Sequence, residues 1–289
     1  MIYYYKKNRN IQDRLVDGLL FGEKVLGKKV FNKDGSPSKF YLKQGKNYEI
    51  DSKLKELFNL SEIDKNIYLM DSGKPGKVII YVHGGAYWLQ PLFFHYRMIH
   101  NIIKETGGVC IIPIYPKAPY ATYKDVYAFI EPILDKYVKM VGLENIILMG
   151  DSAGGGFIIS LGMKLENENK DAPKIIAISP WLNLNCTNNV YDPMLKADVL
   201  TKQGKIYADN LPLDSPLISP LFGDASKLKD VMIITGTHDI LSKDAIAFEK
   251  KNPQVNVYVY PKRNHDFPLY PIGSGSTDAI EKIINKIKE

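Results

Sequence analysis

The chain has little cysteine, with two among its 289 residues. Cys110 and Cys186 form no Cys-x-x-Cys pair, which argues against a thioredoxin-type redox site and a zinc ribbon. A single bridge could not hold a fold of this size, and Cys110 lies in an apolar run that is typical of a core. We therefore expect two free thiols and a reducing compartment.

Long apolar runs are also absent. The sequence contains no stretch of about 18 consecutive apolar residues, so it predicts no membrane-spanning helix. The first residues, MIYYYKKNRNIQDRL, lack the apolar region and the small residues of a signal peptide. We expect a cytoplasmic protein with no stable membrane anchor.

Blocks of like charge, internal repeats and low-complexity tracts are missing as well. The formal net charge is +6, but basic and acidic side chains are interspersed. This mixture predicts a solvated surface and favours no nucleic-acid partner. With 45% hydrophobic and 24% charged residues, the composition is that of a globular protein and excludes a disordered chain.

From residue 78 onward the sequence repeats one unit, which consists of a short apolar run, a turn and a longer amphipathic stretch. The runs are rich in Val and Ile, as in strands that are buried on both faces of a parallel sheet. They cover residues 78–82, 109–114, 146–149, 175–179, 231–235 and 255–260. A further run at 67–70 predicts an antiparallel edge strand.

Helical patterns separate these runs, at about residues 92–106, 123–141, 153–168, 243–251 and 276–288. Alternation of strand and helix predicts an α/β fold with a doubly wound, mostly parallel sheet and right-handed crossovers. A chain of this length is long enough to bury one large core.

Two segments interrupt the alternation. Residues 1–60 look helical and irregular, and residues 181–230 form a long insert between two strands, with a helical pattern at 196–209. A crossover needs far fewer residues than this insert has. We expect the two segments to form a helical cap over a catalytic domain at 61–289. The sheet itself should need no hydrogen bonds from the N-terminal segment, whose apolar residues Leu19, Leu20 and Phe21 would line the pocket.

The strongest chemical signal is Gly150-Asp151-Ser152-Ala153-Gly154, which fits the pattern G-x-S-x-G. It follows an apolar run and opens a helical pattern, which is the strand–turn–helix context of a nucleophile elbow. At so sharp a turn, side chains at the two glycine positions would collide with their surroundings. Ser152 is therefore the candidate nucleophile.

A second signal, His83-Gly84-Gly85-Ala86, directly follows the run at 78–82. Ester hydrolysis builds negative charge on a carbonyl oxygen, and backbone N–H groups can approach that oxygen only where side chains are small. We expect an oxyanion hole from the N–H groups of Gly84, Gly85 and Ala153, with His83 holding the loop in place.

A catalytic serine needs a base, and the base needs an acid that orients it. His265 follows the run at 255–260 and Asp239 follows the run at 231–235, so both lie at carboxyl ends of parallel strands, where α/β sites are built. We expect the triad Ser152–Asp239–His265, with Asp244 and Asp266 as rival acids. The rate should rise with pH through an apparent pKa of about 6–7, as His265 loses its proton.

The sequence predicts neither a metal nor a cofactor. His95 and His100 fall on a helical pattern at positions about 140° apart around the axis, so they do not share a face. The aromatic residues beside the oxyanion loop or in the insert are candidates for substrate-binding walls and, equally, for core packing. These residues are Tyr87, Trp88, Trp181 and Tyr191.

The motifs HGGAYW, GDSAGG, GTHDIL and NHDF, in this order and on these strand ends, resemble those of the α/β-hydrolase fold. More narrowly, the chain resembles the bacterial esterases related to hormone-sensitive lipase, the alpha/beta hydrolase fold-3 group. The likeness runs from about residue 75 to the C-terminus. YPKAPYATYKD and SPLISPLFGD stand where that family has a Tyr-x-x-Ala-Pro-Glu segment and a Ser-Pro-rich stretch. The resemblance implies hydrolysis of carboxylic esters, no cofactor, and a cap built from the N-terminus and an insert.

Two positions depart from that family. Ala86 replaces the third glycine of its His-Gly-Gly-Gly motif, and Tyr120 replaces its glutamate. Amides react through the same groups as esters, so an amidase, peptidase or formamidase stays open beside an esterase for short acyl groups. A non-catalytic binding protein is a third class, against which the complete set of triad residues argues. We expect a small-molecule ester as the partner, and the sequence is compatible with a homodimer.

Overall fold

A computed structural model of the chain describes residues 1–6, 30–46, 48–270 and 272–289. The proposed wall residues Leu19, Leu20 and Phe21 lie outside the described residues. Nearly all of the region from which the sheet and the site motifs were predicted is therefore open to comparison.

A single twisted sheet is the centre of the fold. In the described part of the chain its strands are β1 (Ile2–Tyr4), β2 (Leu60–Asp64), β3 (Ile67–Asp71), β4 (Val78–Val82), β5 (Val109–Pro113), β6 (Ile146–Asp151), β7 (Lys174–Ile178), β8 (Val231–His238) and β9 (Asn256–Asn264). Their spatial order is β1-β9-β8-β7-β6-β4-β5-β3-β2. β3 pairs antiparallel with β2 and β5, and all other neighbours are parallel. The predicted mostly parallel sheet is confirmed, with β2 added outside the predicted antiparallel strand.

The helices after residue 90 lie where the amphipathic patterns place them, with ends shifted by one or two residues. The described helices are α1 (Lys39–Gln44), α2 (Ser52–Leu57), α3 (Phe93–Thr106), α4 (Tyr123–Val141), α5 (Ser152–Asn167), α6 (Ala197–Ala208), α7 (Ser242–Lys251) and α8 (Ser274–Lys288). One-turn 3-10 helices occur at Leu143–Asn145, Pro220–Phe222 and Phe267–Leu269.

Helices cover both faces of the sheet, which makes this a three-layer α/β structure. On one face α3 and α8 bury Ile102 and Ile283, whereas on the other α4, α5 and α7 bury Ile130, Phe157 and Phe248. Every residue of β4 is buried. Because neither face of the central strands meets water, these strands are apolar throughout instead of alternating.

The first residues of the long insert between β7 and β8 pack against the first turn of α5. The amide of Trp181 donates to the carbonyl of Ser152 at 2.8 Å, and the Trp181 side chain is fully buried. A Cβ atom at Gly156 would lie 2.1 Å from the Trp181 carbonyl oxygen, so this position of α5 has room only for glycine. The insert therefore starts as part of the layer that supports the serine.

The N-terminal segment contributes a strand to the sheet, and the expectation that the sheet takes no hydrogen bonds from this segment is wrong. β1 runs parallel to β9, with Tyr3 opposite Tyr258, and the amide of Tyr5 donates to Val259 at 2.9 Å. The rings of Tyr3 and Tyr258 stack at 4.8 Å. A three-residue strand is too short to carry a detectable period, and its partner lies at the other end of the chain, so pattern analysis missed it.

Candidate active site

Ser152 lies at the junction of β6 and α5 in a left-handed backbone conformation, with φ of 49°. A non-glycine residue adopts this region only under constraint. The neighbouring backbone supplies that constraint: a Cβ at Gly150 would lie 2.6 Å from the carbonyl oxygen of Val82, and one at Gly154 only 1.9 Å from it. Glycine at both positions lets β6 and α5 pack against the end of β4, which is the strand–turn–helix geometry that the motif predicts.

The three predicted triad side chains meet at the carboxyl ends of their strands. His265 follows β9 and places Nε2 2.9 Å from Ser152 Oγ. Asp239 follows β8 and places Oδ2 3.1 Å from His265 Nδ1. All three side chains are buried or nearly so. The arrangement can pass a proton from the serine to the imidazole while a carboxylate fixes the far side of the ring.

The carboxylate of Asp239 is oriented by backbone amides and by a neighbour from the insert. Its Oδ1 accepts a hydrogen bond from the amide of Leu241 at 2.9 Å. Asp192 caps the same loop, because its Oδ2 accepts from the amide of Ile240 at 2.9 Å. The other oxygen of Asp192 accepts from the amides of Met194 and Leu195. Sequence reasoning missed Asp192, which ties the insert to the acid-bearing loop and carries no motif signal of its own.

The pKa of His265 lies well above the ordinary histidine value. Burial by itself lowers this pKa, but the carboxylates of Asp266 and Asp239 favour the charged ring and outweigh burial. The shift is upward in direction, and the expected rise in rate through an apparent pKa of about 6–7 stays a prediction. Asp239 alone would be the usual partner of a catalytic histidine, so the unusual contribution is that of Asp266.

The carboxyl group of Asp266 lies beside Nε2 of His265, on the side of the ring that faces Ser152. It does not lie beside Nδ1, which faces Asp239. Oδ2 of Asp266 lies 3.0 Å from Nε2, the same nitrogen that faces Ser152. The geometry rules it out as the orienting acid, because that acid must bind Nδ1. Asp244, the other rival, lies on α7 and forms no ion pair or hydrogen bond with His265 among the described residues. Burial raises its pKa to about 6.

The loop after β4 differs from the prediction at Gly84. The amide of Gly84 donates to Asp151 Oδ1 at 2.9 Å, so it is already engaged by a buried carboxylate. In contrast, the amides of Gly85, Ala86 and Ala153 donate to no protein acceptor in the described part of the chain. Gly85 and Ala86 have φ of 104° and 49°, which turns the loop sharply at this point. The open donors are therefore Gly85, Ala86 and Ala153, and Gly84 is a support for the loop.

Asp151, the residue before the serine, is the centre of a buried polar network. It accepts hydrogen bonds from the Tyr81 hydroxyl and the Gly84 amide, and its Oδ2 lies 3.3 Å from His95 Nε2. The amide of Leu92 donates to His95 Nδ1 at 2.9 Å, so Nε2 carries the proton of the neutral ring. Burial raises the pKa of Asp151, but His95, Tyr81 and Gly84 outweigh burial and hold it below the usual value. Sequence reasoning tested His95 only as a metal ligand and missed this role.

His83 packs under the loop and does not reach the triad. Its Nδ1–H donates to the carbonyl of Gly84 at 2.6 Å, and its ring stacks on Tyr115 at 4.6 Å. Lys117 lies on the same tyrosine, with Nζ 3.5 Å from the ring centre and 2.5 Å from the Tyr115 carbonyl oxygen. Burial, together with the charge of Lys117, holds the pKa of His83 well below its ordinary value.

The four predicted wall residues lie in different environments in the structure. Tyr87 and Trp181 are almost completely buried and belong to the main core, where Tyr87 stacks on Tyr207 at 3.6 Å and donates to the Ala153 carbonyl at 2.8 Å. These two side chains pack in the core, which is one of the two roles that the sequence left open for them, and a part in substrate binding stays a prediction. Trp88 is also buried and stacks on Tyr41 of α1 at 4.9 Å. Tyr191 is exposed, and its ring centroid lies 5.0 Å from that of His238 in an edge-to-face arrangement.

The described residues contain no cluster of three or more His, Cys, Asp or Glu side chains arranged to hold a metal ion. Nor does any helix among them have the length and apolar character needed to cross a bilayer.

Comparison with known proteins points to the same fold. A family model described as alpha/beta hydrolase fold matches residues 79–269, which is more than half of the chain. An esterase of Acinetobacter venetianus is 30% identical over 198 residues, which are 64% of this chain and 64% of that protein. The matches to the first three curated relatives span 37–64% of those proteins' own lengths.

Solved structures share the whole architecture. A Staphylococcus aureus protein described as a candidate esterase superposes with a TM-score of 0.79 at 28% identity, covering 98% of this chain and 94% of that one. A hormone-sensitive lipase from a metagenome library reaches a TM-score of 0.73 at 21% identity, covering 97% and 99%. At that identity the second likeness concerns the fold alone. The resemblance carried by the four motifs is thus confirmed, and this chain belongs to the alpha/beta hydrolase fold family.

Proposed function

We propose that this protein is a serine hydrolase that cleaves carboxylic esters through an acyl-enzyme on Ser152. The observation that carries the proposal is the unbroken line of contacts from Asp239 through His265 to Ser152, with heavy-atom distances of 3.1 Å and 2.9 Å. A nucleophile, a base and an acid in this geometry act as one unit in acyl transfer. Relatives named esterase, triacylglycerol lipase and acetyl-hydrolase support the same reaction class.

The acylation step follows from the two faces of the imidazole. Nε2 of His265 accepts the hydroxyl proton of Ser152 as Oγ attacks the ester carbonyl, and then gives that proton to the departing alcohol. Asp239 accepts the Nδ1–H hydrogen bond, which selects the tautomer with a basic Nε2 and stabilises the imidazolium. Water then attacks the acyl-enzyme, with Nε2 again taking the proton.

During the attack, negative charge develops on the carbonyl oxygen of the ester. The amides of Gly85, Ala86 and Ala153 stabilise this oxyanion. None of these amides has another acceptor in the described part of the chain, so they need no rearrangement before they bind negative charge. Ala153 is also in the first turn of α5, where the helix dipole favours an anion. Removing one such donor typically costs about 10²–10³-fold in kcat.

Short acyl groups are the expected substrates. The aromatic rings of Tyr87, Tyr207 and Trp181 pack together beside the oxyanion loop and fill that space with protein. The acetyl-hydrolase of Streptomyces hygroscopicus is 26% identical over 71% of this chain, which agrees with a small acyl group. The alcohol part of the ester would then lie on the solvent-exposed side of the site.

A cap formed by the N-terminal segment and the insert completes the proposal. Trp88, two residues beyond the oxyanion loop, stacks on Tyr41 of α1, and the Tyr41 hydroxyl donates to Gln203 of α6 at 2.5 Å. Segments from residues 1–60 and 181–230 therefore meet beside the oxyanion loop. Because β1 belongs to the sheet, the cap would exclude the first residues of the chain.

A reducing, cytoplasmic location fits the two thiols. Cys110 and Cys186 are both free and buried. Neither is therefore part of a structural bridge of the kind that stabilises secreted proteins.

The decisive experiment labels the serine with a fluorophosphonate and identifies the modified peptide by mass spectrometry. The label should attach to Ser152, and Ser152→Ala should lose both the label and about 10⁴–10⁶-fold of ester turnover. Ser160→Ala is a matched control, because Ser160 lies on the same helix with its hydroxyl bound to the Pro216 carbonyl at 2.9 Å. Near-normal turnover by folded Ser152→Ala would contradict the proposal.

The substrate class is tested with p-nitrophenyl acetate, butyrate and octanoate beside a set of aminoacyl anilides. We expect kcat/KM to be highest for acetate or butyrate and lowest for the anilides. Faster cleavage of an anilide than of any ester would instead assign an amidase or peptidase on the same triad.

A further inference from the structure

The carboxyl group of Asp266 is placed where a serine hydrolase has no evident need of one, beside the basic nitrogen of its histidine. Nε2 of His265 has two polar neighbours, Ser152 Oγ at 2.9 Å and Asp266 Oδ2 at 3.0 Å. Resting on the proposed function, we propose that Asp266 is a second acidic partner of His265, which competes with Ser152 for Nε2 and restrains the base until the Asp266–His265 pair loses the proton that it shares.

The competition follows from the single site that an imidazole nitrogen offers. Nε2 either carries one proton and donates it, or has one lone pair and accepts a proton. An ionised Asp266 needs the proton on Nε2, whereas a protonated Asp266 can donate to the lone pair of Nε2. In both arrangements one proton is shared between Asp266 and His265, and in both Nε2 is not free to receive the hydroxyl proton of Ser152.

The backbone holds Asp266 firmly in this position. Its φ is 51°, in the left-handed region, and its amide donates to Ser179 Oγ at 3.1 Å. The 3-10 helix Phe267–Leu269 begins directly after it, and the amide of Leu269 bonds back to the Asp266 carbonyl at 3.0 Å. The side chain is only 10% exposed. The contact with His265 is therefore built into the fold and is not a chance approach of a surface side chain.

Burial makes the shared proton costly to remove. Oδ1 of Asp266 is buried and has no hydrogen-bond partner among the described residues, so the imidazolium is the main compensation for a charge on this carboxyl. Burial raises the pKa of Asp266 to about 7, although His265 opposes the rise. A carboxyl and a histidine in such close contact titrate as a pair.

The surroundings add mostly negative charge. The titratable groups that face this pair come from the strands, α3 and the insert, and they are Tyr81, His95, Asp151, Asp192 and Asp239. Three of the five are carboxyl groups and only His95 can become cationic. Negative charge around the pair favours retention of its proton.

We therefore expect kcat/KM to rise at a higher pH than it would if His265 were paired with one carboxylate. Catalysis requires neutral His265 with an open Nε2, and every carboxylate nearby favours the protonated ring. Removing Asp266 should move the acid limb of the kcat/KM profile to lower pH, so the variant should be faster than the wild type in mildly acidic solution. Below the apparent pKa, each unit of downward shift raises the active fraction about tenfold.

Two variants remove the carboxylate without disturbing the backbone. Glycine and asparagine both tolerate the left-handed conformation of residue 266. Asp266→Gly removes every polar atom of the side chain, and Asp266→Asn keeps its shape. Asp244→Asn is the matched control, because Asp244 is also a buried carboxyl near Asp239 and has no contact with Nε2 of His265.

The readout is the pH dependence of kcat/KM for p-nitrophenyl acetate and of the second-order rate of fluorophosphonate labelling. We expect the apparent pKa of the acid limb to fall by about one unit or more in both Asp266 variants, and by less in Asp244→Asn. The high-pH plateau should stay similar. An unchanged pKa in a folded Asp266→Gly that still takes the label would overturn the proposal, as would an equal loss of rate at every pH.

A proton NMR titration tests the ring directly. The Nδ1 proton of His265, which lies on the Asp239 side of the ring, gives a low-field signal whose midpoint can be compared between the wild type and Asp266→Gly. Because Asp239 is present in both proteins, a lower midpoint in Asp266→Gly supports the proposal, and the same midpoint in both contradicts the role of Asp266. Absence of any label on Ser152 would be a different failure, namely that of the proposed hydrolase function itself.

Discussion

Two buried aspartate–histidine pairs flank Ser152, and only one of them is placed to do chemistry. In the first pair Asp151 lies 3.3 Å from His95, and in the second Asp239 lies 3.1 Å from His265. Burial disfavours the charged ring in both, and nearby carboxylates outweigh burial and raise both histidine pKa values. The pairs are thus alike in composition, distance and electrostatic environment.

They differ in what the second ring nitrogen meets. Nδ1 of His95 accepts a hydrogen bond from the Leu92 amide at 2.9 Å, so a backbone group permanently occupies its lone pair. Nε2 of His265 faces the hydroxyl of Ser152 and the carboxyl of Asp266. In the Asp151–His95 pair, groups of the fold occupy both ring nitrogens, so this pair supports the structure. In the Asp239–His265 pair, one ring nitrogen faces a side-chain hydroxyl, so this pair can move a proton.

The largest effect is expected from the reactive pair itself. His265→Gln should lower kcat for ester hydrolysis by about 10⁴–10⁶-fold, because the variant lacks the imidazole that is placed to accept the Ser152 proton. Steady-state kinetics with p-nitrophenyl acetate measures the loss, and the far-ultraviolet circular dichroism spectrum should be unchanged. A His265→Gln enzyme that retains most of its rate would place the base elsewhere.

The acid of the reactive pair should be nearly as important. Asp239→Asn should lower kcat by about 10⁴-fold, because the amide can donate to Nδ1 and so favours the tautomer whose proton sits on Nε2. Asp244→Asn is the control and should stay within a few fold of the wild type. Equal losses in the two variants would mean that negative charge in this region matters and the specific contact at 3.1 Å does not.

The structural pair should give a smaller loss of a different kind. His95→Leu removes the donor to Asp151, which frees the carboxylate that holds the Gly84 amide, and kcat should fall by about 10–10²-fold with little change in KM. His95→Gln can still donate to Asp151 and should recover part of the rate. If His95→Leu were as inactive as His265→Gln, the distinction between the two pairs would be lost.

Lys117 provides the opposite limit of the comparison, because it is a buried cation with no acidic partner among the residues that the structure describes. Lys117 donates to the Tyr115 carbonyl and is buried, and burial holds its pKa well below the usual lysine value. Lys117→Met should raise the free energy of unfolding by about 1–4 kcal/mol, as replacements of buried charges by apolar groups can do. Urea unfolding at several pH values measures the gain, and Lys117→Arg, which cannot shed its charge, should be less stable than the wild type.

The pH dependence of that gain has a definite sign. The folded pKa of Lys117 is lowered, so between that pKa and the unfolded value of about 10.4 the unfolded chain binds more protons than the folded one. Wild-type stability therefore improves as pH rises through this window. The advantage of Lys117→Met should be largest below the folded pKa and should shrink towards pH 10. An advantage that is constant up to that pH would show that Lys117 is not titrating.

The strand and helix alternation came from the sequence with few errors, and the three predicted triad side chains lie together in the structure. The central strands are buried on both faces, so their apolar runs are continuous, and each proposed catalytic side chain comes three to five residues after such a run. The amide assigned wrongly, that of Gly84, illustrates the limit. Glycines in a loop indicate that amides are accessible, but whether an amide is free depends on a carboxylate 67 residues further along the chain.

The N-terminal strand and the buried aromatic residues show the same limit. β1 is recognisable only through its pairing with β9, and Trp181 reads as a wall or as core until the packing of α5 is known. His95 and Asp192 occur in unremarkable sequence contexts, and Asp266 stands in the NHDF motif, but for all three the sequence does not show which nitrogen or amide the side chain faces.

The sequence by itself determined the α/β alternation and the elbow around Ser152, and it predicted Asp239 and His265 as the partners of that serine. These features depend on local geometry, because the hydrophobic period, the turn residues and the position after a strand can be recognised in neighbouring residues. Only the tertiary structure decided which amides remain open, which histidine lies beside Ser152 and which carboxyl groups face His265. Those properties depend on distances between groups that the fold brings together from remote parts of the chain, and electrostatic and hydrogen-bond energies change steeply with such distances in a buried site.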